Sequence, residues 1–381
     1  MPAEIDTISA KQKATYSTEA RRETVGDGPA RKPLVLITGS SGLIGSRLIE
    51  ALVGDFRVVG LDLKPPRDQL ADFIECDLTR SESVESALQE VESRHGDQIA
   101  SVIHLAAYYD FSGEPSPLYD KLTVEGTRRM LQQLQRFAVE QFVFSSSLLV
   151  MKPVAEGEVI TEASPVESTW DYPASKIKAE EVIAKERHEI SVVVLRIAGV
   201  YDEDCHSIPI AQQISRIYQK TFESYFFPGN ASHGQAFVHL DDLVDCFRKC
   251  IERRRQLGSH ELLLIAEPEV LSYAELQDRL GELLHGKEWP TIRIPKVAAK
   301  AGAWVQEKMA GEEEETFIKP WMIDLADAHY PVQIDLARQR LGWEPEHRLR
   351  DTLDEMVRRL RRDPHGWYER NGLPVPDKVR S

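Results

Sequence analysis

The chain has 381 residues, of which 42% are hydrophobic and 29% are charged. This composition is typical of a soluble globular protein with one large domain or two ordinary ones. The net charge of −15 at pH 7 argues against a nucleic-acid partner, because phosphate binding needs a basic face. No apolar run reaches the roughly 18 residues of a membrane-spanning helix, so we expect no membrane span.

The start of the chain bears on the cellular compartment, and the cysteines bear on metal binding. Residues 1–32 mix acidic with basic side chains and lack the apolar core of a signal peptide. They favour a disordered N-terminal tail on a cytoplasmic protein. The cysteines show no CxxC pair and no histidine at zinc spacing, so we expect no metal site. These cysteines are Cys76, Cys205, Cys246 and Cys250. Cys246 and Cys250 lie one helical turn apart, where we expect a packed face with free thiols.

From residue 33 onward, apolar segments rich in β-branched residues alternate with segments of helical spacing. The predicted strands are 34–38, 57–62, 72–76, 99–106, 141–146 and 191–197. The predicted helices are 43–53, 81–94, 117–137 and 173–188. This alternation predicts an α/β fold, with a doubly wound parallel sheet covered by helices on both faces over residues 33–200.

Beyond about residue 200 the pattern is less regular. It predicts short strands and helices, namely strands at 261–266 and 291–295 and helices at 240–255, 272–284, 295–309 and 351–362. We interpret 201–362 as mainly a smaller α/β cap, partly returning to the sheet and lying over the edge where doubly wound folds bind ligands. Residues 363–381 are expected to be a tail, and the acidic run Glu312–Glu315 a solvated loop.

Residues 38–45, "TGSSGLIG", follow the first predicted strand and open the first predicted helix. Gly39 allows a tight turn, Gly42 lets a pyrophosphate approach the backbone, and Gly45 lets the helix pack closely. The N-terminus of the helix then offers its N–H groups to phosphates. The sequence therefore predicts a dinucleotide-binding turn.

Carboxylates at the ends of the next two strands indicate which dinucleotide the turn binds. Asp62 stands where a carboxylate binds both ribose hydroxyls and repels a 2′-phosphate, which favours NAD over NADP. Lys64 and Arg67 lie close enough to weaken this preference. Asp77 suits the adenine edge, or it is a helix cap or a turn residue.

The segment "YPASK" places Tyr172 and Lys176 four residues apart on one face of a predicted helix. A free tyrosine, with a pKa of about 10, is a poor base at neutral pH. The ammonium of Lys176 and a positive nicotinamide are expected to lower that pKa. Tyr172 could then exchange a proton with an alcohol or a ketone while hydride moves to or from the cofactor.

Seven motifs occur in the order typical of one family: "TGSSGLIG", "HLAA" (104–107), "FSSS" (144–147), "YPASK", "LRIAGVY" (195–201), "FVHLDDL" (237–243) and "LGWEP" (341–345). From Leu34 to Val357 the chain thereby resembles the extended short-chain dehydrogenase/reductase family, which includes NAD-dependent epimerases and dehydratases. The resemblance implies that Ser147 hydrogen-bonds the reacting oxygen beside Tyr172, and that Lys176 also reaches the nicotinamide ribose. The implied NAD-binding residues are Gly39, Ser41, Gly42, Leu43, Ile44, Gly45, Asp62, Asp77, Leu78, Leu105, Ala106, Ala107, Ser145, Tyr172 and Lys176. Ser145 and Ser146 are expected to contact the cofactor or to satisfy backbone groups.

Departures from the family pattern narrow the set of reactions that the chain is expected to catalyse. Leu148 and Leu149 replace the Asp-Glu pair that sugar-nucleotide dehydratases need. Gln235 and Ala236 stand where epimerases carry an arginine that grips the substrate diphosphate, and Gly199 replaces their Asn. The "LRIAGVY" form is nearer the branch of the 3β-hydroxysteroid dehydrogenases.

Two further positions bear on the site. Tyr108, Tyr109 and Phe111 are expected to line an aromatic pocket wall, unless they simply pack under the cap. Thr123 replaces a family Asn that helps to position the lysine.

Three functions follow from these features. The first is an NAD-dependent oxidoreductase acting on a secondary alcohol or ketone of a moderately apolar substrate. The second is a nucleotide-sugar epimerase with tightly bound NAD, and the third is a non-catalytic NAD-binding protein. The resemblance also implies a homodimer paired through the helices at 117–137 and 173–188. Its candidate interface residues, some of which core packing would explain equally well, are Leu122, Met130, Leu131 and Leu134.

Overall fold

The computed structural model describes residues 32–110, 113–300, 323 and 325–380. Its strands, in chain order, are β1 (Leu34–Thr38), β2 (Arg57–Asp62), β3 (Asp72–Glu75), β4 (Gln98–Ile99), β5 (Ser101–His104), β6 (Ala138–Val139), β7 (Gln141–Ser147), β8 (Ser191–Ile197), β9 (Gly199–Tyr201), β10 (Phe226–Pro228), β11 (Phe237–His239), β12 (His260–Ile265) and β13 (Ile292–Ile294). Seven of them form one parallel sheet in the order β12-β8-β7-β5-β1-β2-β3. This is the doubly wound arrangement that the sequence predicts.

The helices of the described residues cover this sheet and build the C-terminal part. They are α1 (Leu43–Leu52), α2 (Ser81–His95), α3 (Glu125–Leu134), α4 (Asp171–Glu186), α5 (Ile208–Gln219), α6 (Leu240–Glu252), α7 (Tyr273–His285), α8 (Asp335–Leu341), α9 (Leu349–Arg362), α10 (Pro364–Arg370) and α11 (Asp377–Arg380). No helix of the described residues is long and apolar enough to cross a membrane.

Side-chain alternation along β1 explains why both faces of the sheet are covered. Val35 and Ile37 belong to the core cluster that includes α1 and α6, whereas Leu34 and Leu36 belong to the cluster that includes α2, α3 and α4. Successive side chains of a strand point to opposite faces, so a strand buried on both sides must be apolar throughout. A third cluster lies among α5, α7, α9 and α10.

Two elements differ from the sequence prediction. The strand expected at 99–106 is divided at Ala100, because β4 pairs with β6 while β5 pairs with β1 and β7. The helix expected at 117–137 begins as a π-helical segment, Tyr119–Val124, and α3 then ends at Leu134. At this junction the hydroxyl of Thr127 donates to the carbonyl of Thr123 at 2.6 Å, a side-chain bond that competes with regular helical bonding.

The chain end is packed against the rest of the protein, so the expectation of a tail at 363–381 was wrong for its first part. Trp367 and Tyr368 of α10 are fully buried in the third cluster. The acidic run at 312–315 and most of the helix expected at 295–309 lie outside the described residues. All four cysteines are buried free thiols.

The expected dimer residues need correction. Met130, Leu131 and Leu134 are fully buried inside the single chain, where they pack in the cluster beneath α3. Leu122 is partly buried against the same cluster. Core packing therefore explains their apolar character.

Candidate active site

The strand order reverses between β1 and β5, so the loops that leave these two strands diverge and open a crevice. In doubly wound folds, ligands bind at such a switch point. The turn after β1 holds Gly39, and the segment after β5 holds Leu105 and Ala106. These segments lie together, since the amide of Leu105 donates to the carbonyl of Thr38 at 3.2 Å.

The three glycines of the turn differ in how much room a side chain would have. Gly39 has a φ of +70°, and a Cβ there would lie 2.9 Å from the amide nitrogen of Ala106. A Cβ on Gly45 would overlap the carbonyl oxygen of Gly39 and lie 2.7 Å from the Cα of Ser40. At Gly42 the nearest atom would be 3.4 Å away, so this position is less crowded.

Gly42 is also the N-cap of α1, and no side chain caps this end of the helix. The first amides of α1, including those of Leu43 and Ile44, are thus left for a ligand or solvent. Uncapped amides at a helix N-terminus suit a pyrophosphate, so the turn fits the phosphates of a dinucleotide.

Asp62 links this turn to the end of β2. Its carboxylate accepts hydrogen bonds from the amide of Ser41 at 3.0 Å and from the amide of Leu63 at 2.7 Å. The Ser41 hydroxyl donates to the carbonyl of Lys64 at 2.5 Å. The carboxylate therefore lies at the mouth of the turn, where the ribose contact is expected.

Asp77 forms a turn of its own. One of its carboxylate oxygens accepts from both the amide and the hydroxyl of Thr79, at 2.9 and 2.6 Å. Contact with adenine stays a prediction, and the turn role is observed. Leu78, which follows it, is buried.

A buried histidine supports the segment Leu105–Ala107. The Nδ1 of His104 lies 2.8 Å from the hydroxyl of Thr38, and its Nε2 lies 3.0 Å from the hydroxyl of Thr127. Burial lowers the pKa of His104 to about 3, and the nearby charge of Lys176 acts in the same direction. His104 is therefore neutral and structural.

The three serines at the end of β7 have different partners. The hydroxyl of Ser145 donates to the carbonyl of His104 at 3.2 Å, and that of Ser146 donates to the carboxylate of Glu180 at 2.5 Å. The oxygen of Ser147 instead accepts from the amide of Leu149 at 3.2 Å. This acceptance leaves the hydrogen of the Ser147 hydroxyl available for another oxygen.

Tyr172 and Lys176 lie in the first two turns of α4. Both face the end of β7 that carries the three serines. The Tyr172 ring packs against Tyr109 and Trp170, with ring centroids 4.8 and 5.5 Å apart. Lys176 is buried, its Nζ donates to the carbonyl of Ser145 at 2.7 Å, and it lies 5.8 Å from the centroid of the Tyr172 ring. The fold thus gathers the predicted catalytic residues at one strand end.

The pKa values in the ligand-free protein differ from the expectation. Burial raises the pKa of Tyr172 to about 12, and the neighbouring Ser147 hydroxyl opposes this only in part. Burial also lowers the pKa of Lys176 to about 7, against the attraction of Glu180. Lys176 therefore loses its proton before Tyr172 does, so the lysine alone does not lower the pKa of the tyrosine.

A buried ion pair beside these residues was missed from the sequence. Arg196 of β8 binds both carboxylate oxygens of Glu180, at 3.2 and 2.7 Å. The available signal was the position of Glu180, four residues after Lys176 on the helix. The partner could not be inferred, because it lies on a different strand.

A cavity of about 520 Å³ lies beside this strand end. Its described lining residues are Leu149, Met151, Pro153, Val154, Glu167, Thr169, Trp170, His233, Lys296, Leu325, Asp327, Ala328, His329 and Tyr330. Eight of these fourteen residues are apolar or aromatic, and the others are polar or charged. Leu149 follows Ser147 by two residues in the chain, and Trp170 precedes Tyr172 by two. Of the aromatic wall expected after β5, Tyr109 contacts Tyr172, Tyr108 packs on Tyr119, and Phe111 lies outside the described residues.

One group of side chains elsewhere has spacing that a metal could use. His239, Asp241 and His347 place their ligand atoms within 4.8 Å of one another. However, the Nδ1 of His239 accepts the amide of Asp241, and the Asp241 carboxylate binds Arg47 at 2.9 Å. A metal-free protein remains our prediction.

Comparison with known proteins agrees with this geometry. The family model described as "NAD dependent epimerase/dehydratase family" matches residues 35–266. Sterol-4-alpha-carboxylate 3-dehydrogenase (decarboxylating) of Candida albicans is 25% identical, over 84% of this chain and 97% of its own length. UDP-glucose 4-epimerase of Erwinia amylovora is 26% identical, over 88% of this chain and 98% of its own.

A solved structure shows the same fold. UDP-glucuronic acid 4-epimerase from Bacillus cereus, in complex with UDP-glucuronic acid and NAD, superposes with a TM-score of 0.64. It is 18% identical and covers 86% of this chain and 99% of its own.

Proposed function

Because the chain belongs to the NAD dependent epimerase/dehydratase family, we propose that it is a dehydrogenase that interconverts a secondary alcohol and a ketone on a largely apolar substrate. NAD-dependent oxidoreductase activity is consistent with both kinds of relative. The choice among the family's reactions rests on the walls of the site.

The residues that would hold NAD fit a dinucleotide. The turn at Gly39–Gly45 would take the pyrophosphate, and Asp62 a ribose. The segment Leu105–Ala107, with Ser145 and Lys176, would line the nicotinamide half. Bound NAD would supply the hydride acceptor or donor.

The protein's own groups would manage the proton. Tyr172 would take a proton from the substrate hydroxyl or return it to the ketone. Ser147, whose oxygen already accepts from Leu149, would donate its hydrogen to the same substrate oxygen. Since the pKa of Tyr172 is about 12 in the ligand-free protein, its activation needs further positive charge in the loaded site.

The observation that favours an apolar substrate is the position of Phe237. Nucleotide-sugar epimerases of the family tend to carry Asn at the place of Gly199. Here even a Cβ on Gly199 would lie 2.8 Å from the Phe237 ring. An amide side chain therefore has no room without displacement of that ring.

The cavity supports the same choice. Among its described lining residues, the one Lys or Arg side chain is Lys296, and it forms an ion pair with Asp327. Leu148 and Leu149 offer no acid or base for dehydration. A diphosphate would need cations, whereas an apolar ring system suits leucine, methionine and tryptophan walls.

The alternative is nucleotide-sugar epimerisation, favoured by the full-length similarity to UDP-glucose 4-epimerase of Erwinia amylovora. It would use the same three residues with NAD retained through a complete redox cycle. A non-catalytic NAD-binding protein would bind NAD without either reaction.

One experiment separates these functions. Purified protein is supplied with NAD and a panel of hydroxysteroids and other apolar secondary alcohols, and NADH is followed by absorbance. A second series contains UDP-glucose without added NAD, and its products are separated chromatographically. Net NADH with an apolar alcohol, absent in Tyr172→Phe, supports the proposal, and conversion of UDP-glucose without net NADH overturns it.

The cellular setting is a further proposal. Four buried, unpaired cysteines suit a reducing compartment, which supports a cytoplasmic location. Fractionation of cells expressing the tagged full-length chain would test it.

The homodimer is also a proposal. It is supported by the family's habit of pairing through the helices that correspond to α3 and α4. Met130, Leu131 and Leu134 are buried within the chain and cannot form this contact, so it would use the partly buried Leu122 and other residues of these helices.

A further inference from the structure

Tyr172, Lys176 and Glu180 recur every four residues along α4 and so form one stripe. This stripe faces the end of β7, as the bond from Lys176 to the carbonyl of Ser145 and the bond from Ser146 to Glu180 show. The Glu180 side chain is only 14% exposed. A carboxylate buried to this degree is costly unless its charge is compensated.

The compensation comes from two directions. Ser146 donates to one oxygen of Glu180 at 2.5 Å, and Arg196 donates to both. Arg196 is itself 7% exposed, and its remaining nitrogen lies 2.9 Å from the sulfur of Met151, which lines the cavity. Glu180 therefore joins α4, β7 and β8 behind the catalytic residues.

The surroundings of Lys176 show what this charge can do. On β7, the ammonium of Lys176 contacts the carbonyl of Ser145 and the ring of Phe144. On β5, the nearby His104 is neutral. Arg196 of β8 is already paired with Glu180, and Tyr172 is protonated at neutral pH. Among the described residues, Glu180 is thus the acidic group whose charge favours the ammonium form of Lys176.

We propose that Glu180 is a positioning residue: held by Ser146 and Arg196, it fixes the catalytic face of α4 against β7, and its charge favours the ammonium form of Lys176. The inference rests on the proposed function, in which Lys176 contacts the nicotinamide ribose. Removing the carboxylate charge should therefore change the pH at which Lys176 stops contributing to NAD binding, rather than only weaken the fold.

The test measures NAD affinity by isothermal titration calorimetry between about pH 5.5 and about pH 9. This range brackets the pKa of Lys176, which burial lowers to about 7. In the unmodified protein, affinity should fall as pH rises through the pKa of Lys176, because the ammonium exists only below it. In Glu180→Gln the midpoint of this fall should move down by about one pH unit or more, the usual effect of losing a neighbouring opposite charge.

Two variants make the result specific. Arg196→Met breaks the same ion pair but leaves the carboxylate, so it should not lower the midpoint. Lys176→Met should abolish the pH-dependent fall altogether. If Arg196→Met lowered the midpoint as much as Glu180→Gln, the pair would be structural only and the inference would be overturned.

A further variant serves as the control for folding. If Glu180→Gln alone fails to fold, the double variant Glu180→Gln/Arg196→Met removes both buried charges, a change that proteins often tolerate. The double variant should then show the lowered midpoint, and an unshifted midpoint would overturn the inference. Failure of the unmodified protein to bind NAD at any pH would instead contradict the proposed function.

Discussion

At the scale of single residues, the segment "FSSS" shows how neighbouring hydroxyls acquire different tasks. Ser145 satisfies a backbone carbonyl, Ser146 binds Glu180, and Ser147 accepts from the backbone beside Tyr172. The family resemblance predicts Ser147 as the catalytic serine. Its hydroxyl oxygen accepts a backbone bond, which leaves its hydrogen for a substrate oxygen and supports that prediction.

Ser147→Ala should lower kcat by about 10²–10³, because a hydrogen bond that strengthens as charge develops on the substrate oxygen is lost. NAD affinity should change little. Tyr172→Phe should cost at least as much, and the double variant should cost less than the product of the two effects, since both residues act on one atom. Ser145→Ala is the matched control. A larger loss in Ser145→Ala than in Ser147→Ala would contradict the assignment.

Asp62 should set the preference between the two nicotinamide cofactors. Asp62→Ala should narrow the gap between NAD and NADP affinity by roughly 1–3 kcal/mol, the cost of a lost charge-assisted bond. Because the carboxylate also holds the Ser41 amide, affinity for both cofactors should fall. Asp62→Asn keeps an acceptor and removes only the charge. Calorimetric titration of both cofactors checks this, and equal affinities in the unmodified protein would refute it.

At the scale of elements, most of the sheet could be predicted from the sequence. Strands such as β1 and β8 are continuous β-branched runs buried on both faces, and this pattern is distinctive. The ion pair of Glu180 with Arg196 was not predictable, because it joins a helix to a strand and leaves no periodicity. The packed position of Trp367 was missed for the same reason: its partners in the third cluster are distant in the sequence.

The turn between β1 and α1 should not tolerate a side chain at Gly45. Gly45→Ala places a methyl group against the backbone of Gly39 and Ser40, so it should lower the free energy of unfolding by about 1–3 kcal/mol and abolish NAD binding. Gly54→Ala, with no atom within 4 Å of the added Cβ, is the control. Urea denaturation and calorimetry measure both, and a stable, NAD-binding Gly45→Ala would disprove this account of the turn.

At the scale of the whole molecule, the charges on these helices bear on how the proposed homodimer would form. Apart from Ala184, the exposed side chains of the π-helical segment and α4 are charged, namely Asp120, Lys121, Asp171, Lys178, Glu181 and Lys185. Lys178 already pairs with Asp120 at 2.8 Å within the chain. A two-fold contact here would exchange such pairs between copies instead of burying apolar surface.

A dimer formed in this way should depend on salt. Light scattering at micromolar concentration and low ionic strength should give twice the 43.2 kDa of one chain. The mass should approach that of one chain near 1 M salt, where the screening length falls to about 3 Å. Lys178→Glu should weaken the dimer at low salt, whereas Arg358→Glu on α9, at a side chain 71% exposed, should not. A single-chain mass at both salt concentrations would exclude the dimer, and a salt-independent dimer would exclude this polar interface.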